Sequence, residues 1–356
     1  MATAVNNGTF VFNREELKDW SKVIAQLTFL NKDLAQLHDV ETGIKYAEQI
    51  VFAAKGGLLG KAVTGCAPNA ITGITLSEKT WSPAREDFRL EHCSADVNQQ
   101  DKLVNQMAKM NPDFYKILEG SQSVIGDFLV ASIIERFNEN LLRKIWFNDT
   151  ASAIQPAGVI TTGTDLGYFN TFDGLFKQIK VNIPTSSQYY VPIAKNAGVN
   201  YAAQTLALGE SIAVLRAMFA KADSRLLSSV GAKFYVTRSL FDGYLNDLEN
   251  IQTTGVGNTM ITENGQLTLR YRGYEVVNME IWDRTIAAYE NNGTKANLPN
   301  RAVFSTPSNL KVGTLSTDDF GTVDAFYDQY RKVNVIDGIY TVDAKQMENY
   351  LTVAAY

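Results

Sequence analysis

The chain has 356 residues, of which 45% are hydrophobic and 20% are charged, and its formal net charge is −5 at pH 7. This length and composition exclude a disordered chain and predict two subdomains or one elongated body. The acidic balance argues against a dedicated nucleic-acid-binding protein and against an anionic membrane surface as a partner.

In chain order, the N-terminal half is predicted to contain two helices separated by β structure. Apolar residues recur every three or four positions over residues 13–40, which predicts a helix. Residues 44–54 fit either a strand or a helix, and residues 71–97 predict a strand, a loop and a second strand. The strongest periodicity covers residues 121–147 and predicts a helix roughly 40 Å long.

Between these elements, residues 55–65 read KGGLLGKAVTG, which raises the possibility of a phosphate-binding loop. The motif fails because too few residues separate Gly57 from Gly60 and Lys61. Ala62 also stands where a hydroxyl side chain would hold magnesium. The glycines are therefore interpreted as a means for a loop to change shape.

The C-terminal half is predicted to hold a short helix over residues 171–180, an inserted α+β unit over 185–300, and closing β strands at 301–307 and 334–356. Within the inserted unit, the predicted order is helix, strand, helix and a strand with a central turn at Gly273, over residues 206–219, 232–238, 239–250 and 267–279.

The sequence offers few groups for catalysis. It has two histidines and two cysteines, too few for a disulfide framework or a clustered metal site. His38 is expected to cap or pack against a helix. His92 precedes Cys93, but neighbours on a strand point to opposite faces and cannot share a proton. No nucleotide or hydrolase motif is present, so we predict no enzyme, no cofactor and no metal.

Charged residues have two interpretations each. The adjacent carboxylates Glu86 and Asp87 are expected to be solvated, with a divalent-ion site as the alternative. Arg136, Arg143 and Lys144 on the long helix are expected to form a solvated face, with contact to packaged nucleic acid as the alternative. No signal peptide or membrane-spanning run is recognisable, so we expect no membrane partner.

The order of features resembles the major capsid proteins of tailed bacteriophages with the Hong Kong 97-like fold, from about residue 10 to 356. The long helix followed by FNDTASAIQPAGVITT resembles the spine helix of that family, and TFDGLFKQI resembles the helix after it. LRAMFAKADSRLLSSVGAKFYVTRSLFDGYLNDLE is similar to the central A-domain, LTLRYRGYEVVNMEIWD to the strand pair that follows, and RAVFSTPSNLKVGT to the return into the P-domain.

The resemblance implies an α+β fold whose parts are an N-terminal arm at 1–43, an E-loop at 44–97, a P-domain with the spine helix at 98–184, an inserted A-domain at 185–300 and P-domain return strands at 301–356. It also implies self-assembly into hexamers and pentamers that form an icosahedral virion shell around phage DNA, assembled in the bacterial cytoplasm. Implied partners are a portal, a scaffold, and cement or head-auxiliary proteins. The long helical scaffolding region at the start of some relatives is not recognisable in this sequence, which would imply a separate scaffold protein, prior removal, or neither. No lysine and asparagine are assignable to the crosslink of some relatives.

By the same resemblance, seven residues are expected to contact neighbouring subunits: Trp20 and Phe29 on the arm, and Lys55, Lys61, Trp81, Arg85 and Glu86 on the E-loop. For each residue the alternative is packing within the subunit or solvation. Two other functions stay open: an encapsulin-like nanocompartment shell, and a soluble enzyme that would use His38 or His92.

Overall fold

The computed structural model describes residues 32–44, 47–54, 75–93, 124–152, 166–252, 260–263, 266–315, 322–328, 330–331 and 333–356. The helices are α1 Lys32–Leu37, α2 Val124–Phe147, α3 Leu166–Phe169, α4 Leu175–Asn182, α5 Tyr201–Gln204, α6 Glu210–Lys221, α7 Ser224–Leu227, α8 Arg238–Gln252 and α9 Glu280–Tyr289. The strands are β1 Asp39–Glu41, β2 Gln49–Ala54, β3 Thr75–Thr80, β4 Ala84–Cys93, β5 Tyr190–Val191, β6 Lys233–Val236, β7 Met260–Glu263, β8 Gln266–Tyr271, β9 Tyr274–Asn278, β10 Ala302–Ser305, β11 Leu310–Thr314, β12 Thr322–Asp328, β13 Val333–Gln346 and β14 Thr352–Ala355.

Most periodic segments form the predicted element. The long helix is present as α2, and the strand, loop and strand over 71–97 are present as β3 and β4. The undecided segment 44–54 contributes the strand β2. Of the helix predicted over 13–40, α1 occupies the last part, and residues 13–31 lie outside the described residues. The strand pair turns at Arg272 and Gly273, whose φ angles of 50° and 90° fit the two-residue turn favoured in hairpins.

A five-stranded sheet gathers segments that are far apart in the chain. Its longest strand, β13, pairs antiparallel with β4, β11 and β12, and β1 pairs parallel with β11. The strand β1, in the segment predicted to be the arm, and β4, predicted to belong to the E-loop, are thus part of this sheet. Its strands come from both ends of the chain, so it forms only after long loops have closed.

A seven-stranded sheet runs in the order β5-β14-β10-β6-β9-β8-β7. The predicted boundary at residue 300 does not coincide with a sheet boundary, because β10 and β14 pair in the same sheet as β6. The strands after residue 300 therefore divide between the two sheets: β10 and β14 join this one, and β11, β12 and β13 join the five-stranded one.

Each face of the seven-stranded sheet covers a different core. Alternate residues of a strand point to opposite faces, so Phe234 and Phe304 enter one core, while Tyr235 and Val303 enter the other. The first core lies between this sheet, the five-stranded sheet and helices α2, α4 and α9, with Trp146 near its centre. The second core lies under helices α6, α7 and α8.

Two polar details orient the helices over the second core. Gly209, at the start of α6, has a φ of 86°, which glycine adopts without steric cost. Asp247 of α8 accepts hydrogen bonds from the backbone N–H groups of Gly209 at 2.5 Å and Ile212 at 3.0 Å. The carboxylate therefore caps α6 from the neighbouring helix and sets the contact between the two helices.

The strands β2 and β3 pair antiparallel with each other, from Gln49 opposite Thr80 to Ala54 opposite Thr75. Among the described strands they pair with no others, so they form a two-stranded hairpin apart from both sheets. Residues 55–74, which follow β2 and precede β3 in the chain and include the glycine-rich stretch KGGLLGKAVTG, lie outside the described residues.

Candidate functional site

The structure divides the seven predicted contact residues into three groups. Trp20, Phe29, Lys55 and Lys61 lie outside the described residues. Trp81 and Glu86 are buried, and Arg85 is exposed.

Trp81 follows β3 and closes the base of the β2–β3 hairpin. It is 1% exposed and packs with Ile44 and Met347. Its indole lies over Gly313 of β11, where an added Cβ would come within 2.9 Å of Cζ3 of the ring. The contacts that the structure describes for Trp81 therefore lie within the subunit.

Glu86 of β4 accepts three side-chain hydrogen bonds in the interior, where it is 4% exposed. Lys144 of α2 donates through Nζ at 2.6 Å, Thr171 donates through Oγ1 at 2.6 Å, and Tyr340 of β13 donates through its hydroxyl. The predicted solvated carboxylate is therefore wrong for Glu86, which ties β4, α2 and β13 together. Burial and the neighbouring carboxylate raise the pKa of Tyr340, so its hydroxyl stays a donor.

The basic residues of α2 behave differently from the predicted solvated face. Lys144 is 7% exposed and also lies 4.2 Å from the ring centroid of Tyr168. Arg143 donates to Glu139 at 2.6 Å and to Thr285 at 3.2 Å. Arg136 alone of the three is exposed. The C-terminal part of α2 therefore packs inside the subunit. Its cations Arg143 and Lys144 bind side chains of other segments there.

Arg85 begins a row of exposed charges along β4. Arg85, Asp87, Arg89 and Glu91 alternate in sign at every second position and are exposed, as expected for one face of a strand. Arg89 and Arg331 both pair with Glu91, at 3.0 Å and 2.7 Å. This face of β4 therefore exposes charges of both signs.

His38, the first histidine considered for catalysis, is 1% exposed. Its Nδ1 lies 3.1 Å from the carbonyl oxygen of Leu310, and Trp146 donates its Nε1–H to Nε2 at 3.2 Å. Burial lowers the pKa of His38 from 6.5 to about 4. The ring is thus neutral at pH 7, with the proton on Nδ1, and both nitrogens are engaged in packing. His92 and Cys93 are consecutive residues of β4.

Within the described residues, no group of three or more His, Cys, Asp or Glu side chains is arranged to hold a metal ion. No helix of the described part is long and apolar enough to cross a membrane. An open cavity of about 230 Å³ lies between α6 and residues 191–195, with Val191, Leu206 and Val214 in its wall. Lys195 and Glu210 face each other at its side at 4.0 Å.

Sequence reasoning missed the residues that hold the base of the hairpin and the Glu86 network. Thr171 and Tyr340 are 85 and 254 residues from Glu86 in the chain, and Lys144 is 58 residues from it. Patterns over a few residues cannot predict hydrogen bonds between residues that far apart in the chain. Gly313 carries no signal either, because its need for a small side chain arises from the indole above it.

Known proteins resemble the chain in fold but not in sequence. No protein-family model matches it, and no curated protein matches it by sequence. A chain of the satellite phage P4 procapsid that includes the size determination (Sid) protein superposes with a TM-score of 0.52 and 8% identity, over 92% of this chain and 95% of that chain. The capsid of a native GTA particle gives 0.51 and 11% identity, over 100% of this chain and 94% of that chain.

A third structure, from Gordonia phage Cozz, gives a TM-score of 0.50 and 10% identity, over 90% of this chain and 85% of that chain. At such identities the likeness shows the fold, and in each comparison it spans nearly all of both chains. The chain therefore has the mixed helix and sheet fold of the tailed-phage major capsid proteins.

Proposed function

We propose that this chain is the major capsid protein of a tailed-phage-like particle, which self-assembles through hexamers and pentamers into an icosahedral shell around DNA. The observation that carries the proposal is the whole-chain likeness to shell proteins, 92% of this chain against 95% of the satellite phage P4 procapsid chain. A fold alone does not establish a function. The interior position of His38, the candidate catalytic histidine whose side chain the structure describes, supports a structural role.

In this proposal the parts of the molecule take the roles that the family resemblance implies. The helix α2 is the spine helix, the unit around the seven-stranded sheet is the A-domain, and the β2–β3 hairpin is the E-loop that lies across a neighbouring subunit. Residues 1–43 are the arm, and its last residues, Asp39–Glu41, pair with β11 of the five-stranded sheet. Trp20, Phe29, Lys55, Lys61 and Arg85 remain the proposed intersubunit contacts, while Trp81 and Glu86 serve the subunit itself.

The mechanism of assembly is cumulative. Each interface contributes modestly, but a closed symmetric shell repeats it many times, and long extensions connect subunits beyond the immediate neighbours. The shell forms in the bacterial cytoplasm with a scaffold, a portal and cement or head-auxiliary proteins as partners. Contact with packaged DNA is weak and non-specific, consistent with the net charge of −5.

Electron microscopy and sedimentation velocity of the purified full chain test the proposal. We expect rings of six or five subunits and closed shells, with nuclease-protected DNA in particles made alongside the packaging proteins. A chain that stays monomeric across salt, pH and scaffold conditions contradicts the proposal. Shells that enclose a dedicated protein cargo and no DNA support the encapsulin-like alternative instead.

Deletion of residues 56–64, in the glycine-rich stretch of the sequence between β2 and β3, tests the role of the hairpin. We expect the variant to fold, since both cores are formed by residues outside this stretch, and to lose shell formation. Circular dichroism measures the first result and sedimentation the second. As a control, the same stretch is replaced by a Gly/Ser linker of equal length, which separates loop chemistry from loop length. Normal shells from the deletion variant would show that residues 56–64 make no essential contact between subunits.

A further inference from the structure

We propose that Trp81 is the positioning residue that sets the direction in which the β2–β3 hairpin leaves the body, and that Gly313 provides the recess that receives it. We call Ile44, Trp81, Met347 and Gly313 the stem cluster. This inference rests on the proposed function, in which the hairpin reaches a neighbouring subunit, and it adds that correct assembly requires the direction set by the stem cluster.

The fit between the indole and the backbone of β11 is close. A Cβ at Gly313 would lie 2.9 Å from Cζ3 and 3.0 Å from Cε3 of Trp81, and 2.6 Å from Cδ1 of Ile44. Contacts below 3.0 Å force atoms to move, so any residue larger than glycine displaces the indole, Ile44 or both. Trp81 is only 1% exposed, so any movement of its side chain towards solvent would expose apolar area that is now buried.

Hydrogen bonds tie both sides of the hairpin base to the five-stranded sheet. On the entering side, the N–H of Ile44 donates to the carbonyl oxygen of Thr314 at 3.2 Å. On the leaving side, Nζ of Lys79 donates to the carbonyl oxygen of Gln346 at 2.5 Å. The N–H of Ser82 donates to Oδ2 of Asp343 at 2.6 Å.

The N–H of Trp81 itself donates to the carbonyl oxygen of Glu48 at 2.9 Å, which joins the two strands at the base. Asp343 is fully buried and also pairs with Lys345 at 3.3 Å, so the acceptor for Ser82 is held in place. The base of the hairpin is therefore attached at several points within a few residues.

Beyond this base, the described strands β2 and β3 pair only with each other. A rotation at the base is therefore not corrected by any strand pairing further along the described hairpin. Six strand residues span about 20 Å, so a tilt of about 10° moves the far end by roughly 3 Å. A displacement of that size separates hydrogen-bonding partners and packed side chains across an interface.

The test substitutes Gly313→Ala, which adds one methyl group under the indole. We expect a folded subunit with an unchanged far-UV circular dichroism spectrum. Limited proteolysis should cut the hairpin faster, and closed shells should be lost or should vary in diameter under electron microscopy. The matched control is Gly167→Ala in α3, where an added Cβ meets nothing within 4 Å; its shells should match wild type. The double variant Gly313→Ala/Trp81→Phe should recover uniform shells, because the smaller ring leaves space for the methyl group.

Three outcomes overturn the inference while leaving the proposed function intact: wild-type shells from folded Gly313→Ala, a double variant no better than the single one, or a Gly167→Ala defect as large as that of Gly313→Ala. Where Gly313→Ala does not fold, Trp81→Ala decides, since it removes the indole without adding volume. Uniform wild-type shells from folded Trp81→Ala then contradict the inference. If the wild-type chain forms no shell, the proposed function itself has failed.

Discussion

The two faces of the seven-stranded sheet cover cores of different chemistry. The second core, under α6, α7 and α8, is built from aliphatic and aromatic side chains, with Phe234 and Phe304 stacked at 4.0 Å and 8°. The first core lies against buried charged and polar groups: His38 and two ion pairs, Glu86 with Lys144 and Arg301 with Glu290.

The difference follows the origin of the segments. The second core draws mainly on residues 191–304, whereas the first joins residues 34–41, β4, α2 and β13. Apolar packing is non-directional, and it suffices where neighbouring segments are already close in sequence. A buried ion pair tolerates few arrangements of its partners, so it aligns distant segments while leaving the fold sensitive to loss of either partner.

The largest expected effect comes from Lys144→Met, which leaves Glu86 buried without its cation. We expect the free energy of unfolding to fall by about 3–5 kcal/mol, measured by urea denaturation of the unassembled subunit. The double variant Lys144→Met/Glu86→Leu should recover only part of this loss, because both charges are then absent but the hydroxyls of Thr171 and Tyr340 lose their acceptor.

The control for that substitution is Arg238→Met, which breaks an exposed pair with Asp242 in which the arginine side chain is 71% exposed. Exposed pairs contribute about 0–1 kcal/mol. If Lys144→Met costs no more than Arg238→Met, the buried pair does not hold the first core together, and the contrast between the two cores disappears.

Acid should weaken the first core through His38. Its pKa is about 4 in the folded chain and 6.5 without burial, so the unfolded chain binds the proton more tightly. The contribution of the neutral ring is complete above about pH 6.5. It is lost as the pH falls towards 4, by about 3 kcal/mol in total. Urea denaturation of wild type and His38→Gln from pH 7 to 4 isolates this term, since the carboxylates titrate in both. Parallel pH profiles would contradict the prediction.

The smallest effect is expected in the second core. Phe304→Leu keeps an apolar side chain of similar volume and removes the stack on Phe234, so it should cost about 1–2 kcal/mol. The cost should not change between pH 7 and 5, because the described residues of the second core include no buried ion pair of the kind found in the first. Urea denaturation at both pH values measures this, and a cost that grows in acid would show that the two cores are coupled.

Much of the secondary structure could be predicted from the sequence. The helix α2, the hairpin of β8 and β9, and the alternation of half-buried and buried residues of β13 at Ile339 to Val342 follow from periodicity and turn chemistry. Asp343 departs from that alternation because it is buried, where it accepts hydrogen bonds from Ser82 and Ala344. The burial of Asp343 is therefore explained by its hydrogen-bond donors, and Ser82 is brought close to it only in the folded chain.

The candidate site was less predictable. Trp81 and Glu86 lie in the segment where contacts between subunits were expected, but both side chains face inward. A large aromatic side chain suits an interface and a core equally well, and composition cannot distinguish them. Arg85 is exposed, consistent with either a contact or plain solvation.

Local rules thus decide where helices and strands begin and end, because hydrophobic period, turns and caps act over a few residues. Three features are decided instead by the tertiary structure. They are the assignment of β10 and β14 to one sheet and of β11 and β13 to the other, the recess at Gly313, and the pairing of Glu86 with Lys144. They depend on contacts between residues tens to hundreds of positions apart, and close packing makes those contacts compatible with only one arrangement of the chain.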